Sequence, residues 1–318
     1  MKKRNIGLAM IFGLLLVSCG TGTSEVDPSI TDPSEITYPD KDGCYPGHCI
    51  PTDNVTVVKS YYTEGSHEYY MKGITNFDEL EGDELKEALY THLNATRKLQ
   101  NYGVAWVVIK KADKVVKDGK EYVRGIYSRN LIPLGNQQYD LTFRPNFFNR
   151  EHSVPKSFLK NSDKDESDTG KIGAATDIFN IFPEDTYVND KRGTMKYGEA
   201  GVNVLTFIQD SVGRETDAKI DVKKGIIEPT DLAKGEVARA NLYMLLMYPQ
   251  YLNVGESGAL DMFLRWNLEH QPTLERDVKR NETVFEYQKN RNPFIDDPAL
   301  ACKIWGDYDD TTRAVCGV

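Results

Sequence analysis

The stretch Asn149-Arg150-Glu151-His152-Ser153-Val154-Pro155-Lys156-Ser157-Phe158 decides how this chain is read. It follows Leu141 to Phe148, an apolar and aromatic run with the composition of a β-strand. The chain has five histidines, and His67, His152 and His270 each adjoin an acid. Only His152 also follows an Arg-Glu pair at the end of a candidate strand. A neutral imidazole near its ordinary pKa accepts a proton from water at neutral pH. Glu151 offers a hard carboxylate oxygen, which suits magnesium or calcium better than zinc. A histidine beside a glutamate is most often a surface pair. Neighbours in a regular strand also point to opposite faces, so Glu151 and His152 serve one site only where the strand bends or ends.

A second stretch runs from Asp177-Ile178-Phe179-Asn180 to Val188-Asn189-Asp190-Lys191-Arg192. Pro183 stands where a helix is expected to start, with Glu184 and Asp185 in its first turn. On that helix Asp185, Asn189 and Arg192 share one face, so an acid, an amide and a guanidinium stand together. Asn189 adds a neutral oxygen for a hard cation, and an arginine can hold a phosphate through two bonds. A base, a Lewis acid and a cation for the phosphate are the parts of a phosphodiester hydrolase. The plainer reading is that Asn189-Asp190 is a helix end. A third stretch, Lys289-Asn290-Arg291-Asn292-Pro293-Phe294-Ile295-Asp296, holds a further arginine and reads equally as a turn off a helix.

Elsewhere, Leu85, Leu89 and Leu93 predict a helix after Gly82-Asp83. Trp106-Val107-Val108-Ile109 and Tyr122 to Tyr127 read as strands, and Lys160 to Gly170 as an exposed loop. Val237 to Tyr248, Leu260 to Glu269, and the set Leu274, Val278 and Phe285 predict helices. The expected fold is α+β, mixed in the middle and mainly helical towards the C-terminus. There is no Gly-x-Ser-x-Gly elbow and no His-Glu-x-x-His helix, so serine hydrolases and zincins find no support.

At the start, Lys2, Lys3 and Arg4 precede a short apolar run, Ile6 to Val17, in the pattern of a signal peptide. Its end, Leu16-Val17-Ser18-Cys19, resembles the lipobox of bacterial lipoproteins, with an ordinary signal peptide and an incidental cysteine as the alternative. In that sorting pattern Gly20 implies the outer membrane. Residues 19–54 are rich in Ser, Thr, Pro, Asp and Gly and read as a tether, with the folded domain over 55–318. Losing residues 1–18 removes three positive charges and takes the formal charge from −9 to −12. A nucleic-acid partner then needs a local basic cleft, which an acidic protein can still carry. The mean hydropathy of −0.51 excludes a multi-span membrane protein. With Cys19 set apart, Cys44–Cys49 and Cys302–Cys316 are the favoured disulfides, with free thiols as the alternative.

The stretches, in this order, resemble the endonuclease I family of secreted and periplasmic nucleases, with a ββα-metal (His-Me finger) core. Arg150-Glu151-His152 with Pro155 matches the block around the base. Asp177 to Ile181, Val188-Asn189 and Arg192 match the next, and Asn290 to Asp296 match the tail block. The resemblance runs from about Tyr61 to Gly306. It implies that His152 is the general base and that Glu151 and Asn189 are ligands of a divalent metal, foremost Mg2+, with Ca2+ or Mn2+ also suited. Arg192 and Arg291 would bind phosphate, and Asp177 and Asn180 would brace the site. DNA and/or RNA would be cut with little sequence specificity to 5′-phosphate and 3′-hydroxyl ends. The chain departs from the pattern at Phe179, where the family carries His, and at Gly193-Thr194, where it carries Ser-Asn. A surface lipoprotein that binds nucleic acid or another partner without cutting it is the alternative that Phe179 supports. The expected setting is the cell envelope, through a lipid on Cys19, facing the periplasm or the outside, with no obligate protein partner implied.

Overall fold

The computed structural model describes residues 59–134, 147–159, 172–201 and 206–318. The lipobox Cys19, the tether with Cys44 and Cys49, Leu141 to Asn146 and Lys160 to Gly170 lie outside the described residues.

The described residues begin with three α-helices, α1 (Ser66–Gly73), α2 (Gly82–Thr96) and α3 (Val104–Ala112). On α2 the predicted Leu85, Leu89 and Leu93 are all buried. Helix α3 replaces the strand expected at Trp106 to Ile109. Its buried residues Ala105, Trp106, Val108, Ile109 and Ala112 fall on one helical stripe, and a short apolar run does not distinguish strand from helix by itself. An antiparallel sheet follows, β1 (Lys114–Lys117), β2 (Lys120–Arg124) and β3 (Leu131–Pro133).

Next come β4 (Phe148–His152), β5 (Ile181–Asp185) and α4 (Thr186–Arg192). Strands β4 and β5 pair antiparallel, with Glu151 opposite Phe182 and His152 opposite Ile181. Pro183 therefore lies in a strand and does not start the helix. Its carbonyl accepts from Ile126 N at 3.0 Å, on the edge away from β4, so the missing N–H costs no bond of the β4–β5 ladder. A four-stranded sheet, in the order β6-β9-β8-β7, holds β6 (Lys196–Tyr197), β7 (Thr206–Gln209), β8 (Glu215–Asp221) and β9 (Ile226–Glu228).

The rest is helical, as expected: α5 (Asp231–Met247), α6 (Leu260–Glu269), α7 (Lys279–Gln288), α8 (Pro293–Asp296), α9 (Ala299–Trp305) and α10 (Asp310–Cys316). A π-helical turn at Leu274–Val278 leads into α7. Helix α5 is buried on every side from Ala233 to Met247, which makes it the axis of the main core. Because it is enclosed, its polar residues must be paired. Two of them reach the β4 region, Asn241 towards Ser153 and Tyr243 towards Asp177. The expected Cys302–Cys316 disulfide is present and links α9 to α10 across a Cα separation of 5.6 Å.

Candidate active site

Strand alternation sorts the residues of β4. Phe148, Arg150 and His152 face the first turn of α3 and the loop before it. Phe148 meets Trp106 edge-on at 5.7 Å. The Arg150 guanidinium lies 3.5 Å over the Tyr102 ring, and the His152 ring stacks on the same tyrosine at 5.4 Å. Glu151 points the other way, where its Oε1 accepts from Tyr127 OH at 2.7 Å and from Arg192 Nη1 at 2.9 Å. The period of two thus separates His152 from Glu151, and the strand pairing ends at His152.

His152 Nε2 lies 2.7 Å from the carbonyl of Ala175. A carbonyl oxygen only accepts, so Nε2 carries the hydrogen and the lone pair of the neutral ring is on Nδ1. Burial, and after it the charge of Lys156, push the imidazole down to about 3, against the Ala175 carbonyl, which favours the cation. The ring is therefore neutral near pH 7, as a base requires. Burial raises the Glu151 carboxyl above its usual value, while Arg192 and Tyr127 pull it back.

The chain beyond the base is held from several sides. Asn180 clamps Val154 through both amide atoms, accepting from its N–H at 2.7 Å and donating to its carbonyl at 3.0 Å. Asp177 accepts from Gln288 at 2.8 Å, Tyr243 at 2.9 Å and Tyr248 at 2.7 Å, and ties this segment to α5 and α7. Both residues sit fully buried. Phe179, where the family carries a histidine, packs against Tyr243 of α5 at 4.7 Å inside the main core.

Helix α4 starts at Asp185, whose carboxylate accepts from Tyr187 N and Val188 N, so this acid caps the helix instead of lying on its face. It ends at Gly193, where φ is 54° and ψ is −119°, a backbone that favours glycine. The departure at Gly193 therefore closes the helix. Between these ends, Arg192 donates to Glu151, to the His152 carbonyl at 3.0 Å and to the Ser153 carbonyl at 2.6 Å. Asn189 stands one turn earlier and is half-buried. Among the described residues its side-chain amide has no hydrogen-bond partner.

The two arginines expected to meet phosphate are enclosed. Arg291 is 2% exposed, and its guanidinium bonds Asp296 through two nitrogens and Glu282 through one, each at 2.7 Å. That corrects the phosphate contact expected of it: the third stretch fastens α7 to α8, and the Arg291 guanidinium is spent on these two carboxylates. Arg192 is 1% exposed, and its bonds run to Glu151 and to backbone carbonyls, so its charge balances the carboxylate from behind.

Sequence reasoning missed Tyr127 and Tyr197, whose hydroxyls lie 3.0 Å apart beneath Glu151. No motif marks them. Gly125 is the nearest available clue, because a Cβ there would sit 2.4 Å from Glu184 Oε1. Glu184 in turn accepts from Tyr127 N. Among the described residues no group of three or more His, Cys, Asp or Glu converges in a way that could hold a metal. A closed zinc cage is thus absent there. Glu151 and Asn189 are the oxygen donors here that could serve a hard cation, which takes few protein ligands and keeps much of its water.

The comparisons agree with this geometry. The chain matches the family model described as Endonuclease I over residues 81–299, which spans β4, β5 and α4. It is 31% identical over 248 residues to the extracellular ribonuclease of Bacillus subtilis (strain 168), covering 70% of this chain and 75% of that protein. The extracellular ribonuclease of Bacillus amyloliquefaciens is 30% identical over 246 residues, 70% of this chain and 74% of the relative. Endonuclease-1 of Buchnera aphidicola subsp. Baizongia pistaciae (strain Bp) is 28% identical over 120 residues, 38% of this chain and 46% of that protein. A ββα unit bearing Glu151, His152 and Asn189 within so long a match leaves one assignment: the chain belongs to the endonuclease I family and is a nuclease.

Proposed function

We propose that the chain hydrolyses phosphodiester bonds with His152 as general base and a divalent cation, Mg2+ foremost, on Glu151 and Asn189. The observation that carries this reading is the fixed tautomer of His152. Its Nε2–H is held by Ala175 O, which leaves Nδ1 as the proton acceptor at the end of a strand whose other face presents Glu151. The metal ligands fit a hard cation because Asn189 is half-buried and unpartnered, and because Arg192, one turn on, bonds Glu151. When bound, the cation supplies a Lewis acid for the phosphate and the leaving oxygen.

His152 Nδ1 takes a proton from water, and the resulting hydroxide attacks phosphorus in line. The bond from phosphorus to the 3′ oxygen breaks, and that oxygen takes a proton from solvent water to become a 3′-hydroxyl, leaving phosphate on the 5′ end, while the His152 imidazolium returns its proton to solvent. Arg192 offsets the charge of Glu151 without touching substrate. The half-buried Lys156 and Arg150, seated on Tyr102 beside the base, supply positive charge on the side where phosphate must approach. Contacts to the backbone carry little base specificity. RNA is a substrate by analogy with the two Bacillus relatives, which are named ribonucleases, and DNA by analogy with the Buchnera endonuclease. The same Bacillus relatives are named extracellular, which accords with export of this chain; the lipid anchor on Cys19 rests on the lipobox-like Leu16-Val17-Ser18-Cys19 alone. Labelled palmitate on the wild type but not on Cys19→Ala checks the anchor.

Incubation with RNA and with plasmid DNA, in Mg2+ and in chelator, tests the activity. Cleavage in Mg2+ that stops in chelator and leaves 3′-hydroxyl ends is expected. Undiminished cleavage in chelator removes the metal. Binding with no cleavage in any divalent ion restores the non-cutting lipoprotein, whose main support, Phe179, lies in the apolar core.

A further inference from the structure

The Glu151 carboxylate is held unevenly. Tyr127 OH, at 2.7 Å, and Arg192 Nη1, at 2.9 Å, both donate to Oε1. Neither bond uses Oε2. The backbone N–H of His152 also acts on the carboxylate. An oxygen that accepts from a phenol and a guanidinium has its lone pairs committed, so a further ligand is directed to its partner oxygen.

The tyrosine that makes this bond is itself fixed. Its N–H donates to Glu184 Oε2 at 2.5 Å, and its carbonyl accepts from Thr230 N at 3.2 Å. Its hydroxyl lies 3.0 Å from that of Tyr197. Tyr197 OH stands 2.9 Å from the Ser153 carbonyl and 3.1 Å from Ser153 Oγ, and Asn241 of α5 donates to that Oγ at 3.1 Å. A chain of buried hydrogen bonds therefore runs from the central helix to one oxygen of the acid.

The geometry points to Tyr127 as the positioning residue that, with Arg192, confines Glu151 to metal ligation through Oε2 alone and so makes the site selective for a small octahedral cation over Ca2+. This rests on the metal site proposed above. Mg2+ takes carboxylates through one oxygen at short distance and keeps most of its water. Ca2+ takes more ligands and readily accepts both oxygens of one carboxylate. Committing Oε1 to protein donors therefore denies Ca2+ a ligand that Mg2+ does not need. Partners of metal ligands typically change affinity by about 10- to 100-fold when removed.

The test measures dissociation constants of Mg2+ and Ca2+ by displacement of Mn2+, followed by electron paramagnetic resonance, on the full chain without substrate. The wild type is expected to prefer Mg2+. Tyr127→Phe leaves Oε1 with Arg192 as its one remaining donor and is expected to weaken Mg2+ about tenfold while weakening Ca2+ less, so that the preference narrows or inverts. Tyr197→Phe leaves the phenol of Tyr127 in place and should shift the ratio in the same direction by less. Tyr248→Phe removes a buried hydroxyl from Asp177 and should leave the ratio unchanged. That variant separates a general loss of order from a specific effect on Glu151. Thermal melts without metal show which variants are folded. If Tyr127→Phe melts cooperatively and keeps the wild-type ratio, the inference is wrong and the metal site stands. If Tyr127→Phe does not fold, an unchanged ratio in Tyr197→Phe overturns the inference in the same way. If the wild type binds none of the three ions, the metal reading itself falls, and this inference with it.

Discussion

Arg192 and Arg291 are both nearly sealed from solvent, at 1% and 2% exposure, and each bonds a buried carboxylate. Around Arg291 both oxygens of Asp296 are engaged. Asp296 Oδ1 takes one guanidinium nitrogen, and Oδ2 takes another together with the Tyr70 hydroxyl. Around Arg192 the bonding is lopsided, because Glu151 Oε1 takes two donors and neither of them uses Oε2. The neighbours differ in the same sense. His152 keeps Nδ1 as an acceptor, and among the described residues the Asn189 amide has no partner. Residue type and burial alone do not separate a site from a strut. What separates them is whether the hydrogen-bonding capacity closes on itself. A closed cluster contributes to stability when intact and has nothing left to offer a ligand. A cluster left open at defined atoms costs stability and can bind.

The largest expected effect falls on the open cluster. His152→Ala should lower turnover by about 10²- to 10⁴-fold, measured as initial cleavage rate, while the thermal melt stays within a few degrees of wild type. A rate near wild type would take the base away from His152. Next comes the closed cluster, where the pattern reverses. Arg291→Leu leaves Asp296 buried without its partner and should cost about 3–5 kcal/mol of stability by urea unfolding. Cleavage per folded molecule at low temperature should be unchanged. The double variant Arg291→Leu with Asp296→Leu should recover much of that loss, since a buried pair can be replaced by apolar groups with little penalty. A rate loss as large as that of His152→Ala in well-folded Arg291→Leu would return this arginine to the substrate.

How much of this was legible follows from where the partners lie along the chain. Glu151 and His152 are adjacent, and Asn189 and Arg192 are one helical turn apart, so short-range spacing exposes both halves of the ββα unit. The long helices α2, α5 and α6 declared themselves by period and length. Trp106 to Ile109 misled because four apolar residues satisfy either period. Pro183 misled because a proline before two acids imitates a helix start, whereas here its carbonyl is needed on the outer edge of β5. Arg291 misled because nothing local announces that Glu282, from α7, will enclose it together with Asp296. Tyr127 was invisible for a similar reason. It is one of 18 tyrosines, and only the packed chain shows which of them meets Glu151.

The comparison also predicts where pH acts. The folded state holds His152 neutral, pushed down to about 3 by burial and by Lys156, whereas the unfolded chain protonates it near its ordinary value of about 6.5. A group depressed in this way contributes stability that is fully present above the unfolded value and is lost as pH falls towards the folded one. Between pH 7 and pH 5 wild type should therefore lose about 2 kcal/mol more than His152→Gln, which has no imidazole to protonate. Parallel loss in the two proteins would mean that the ring is not shielded from protons, and that its environment is more open than its 6% exposure implies.

The smallest effect concerns Lys156, a cation beside His152. Lys156 is half-buried, and its ammonium lies 4.7 Å from the centre of the Tyr102 ring on which His152 stacks. A positive charge so near a base opposes the imidazolium that forms when the base takes a proton, and an arriving phosphate offsets that cost. Each phosphate neutralised by a protein cation adds about 0.7 to 0.9 to the slope of log affinity against log salt. Lys156→Gln should therefore weaken substrate binding modestly and flatten that slope by about 1, with turnover at saturating substrate little changed. Lys156→Arg should restore the slope. If the salt slope of Lys156→Gln matches wild type, Lys156 does not meet the backbone, and the charge that receives phosphate must come from Arg150, whose guanidinium lies over both Tyr102 and Trp106.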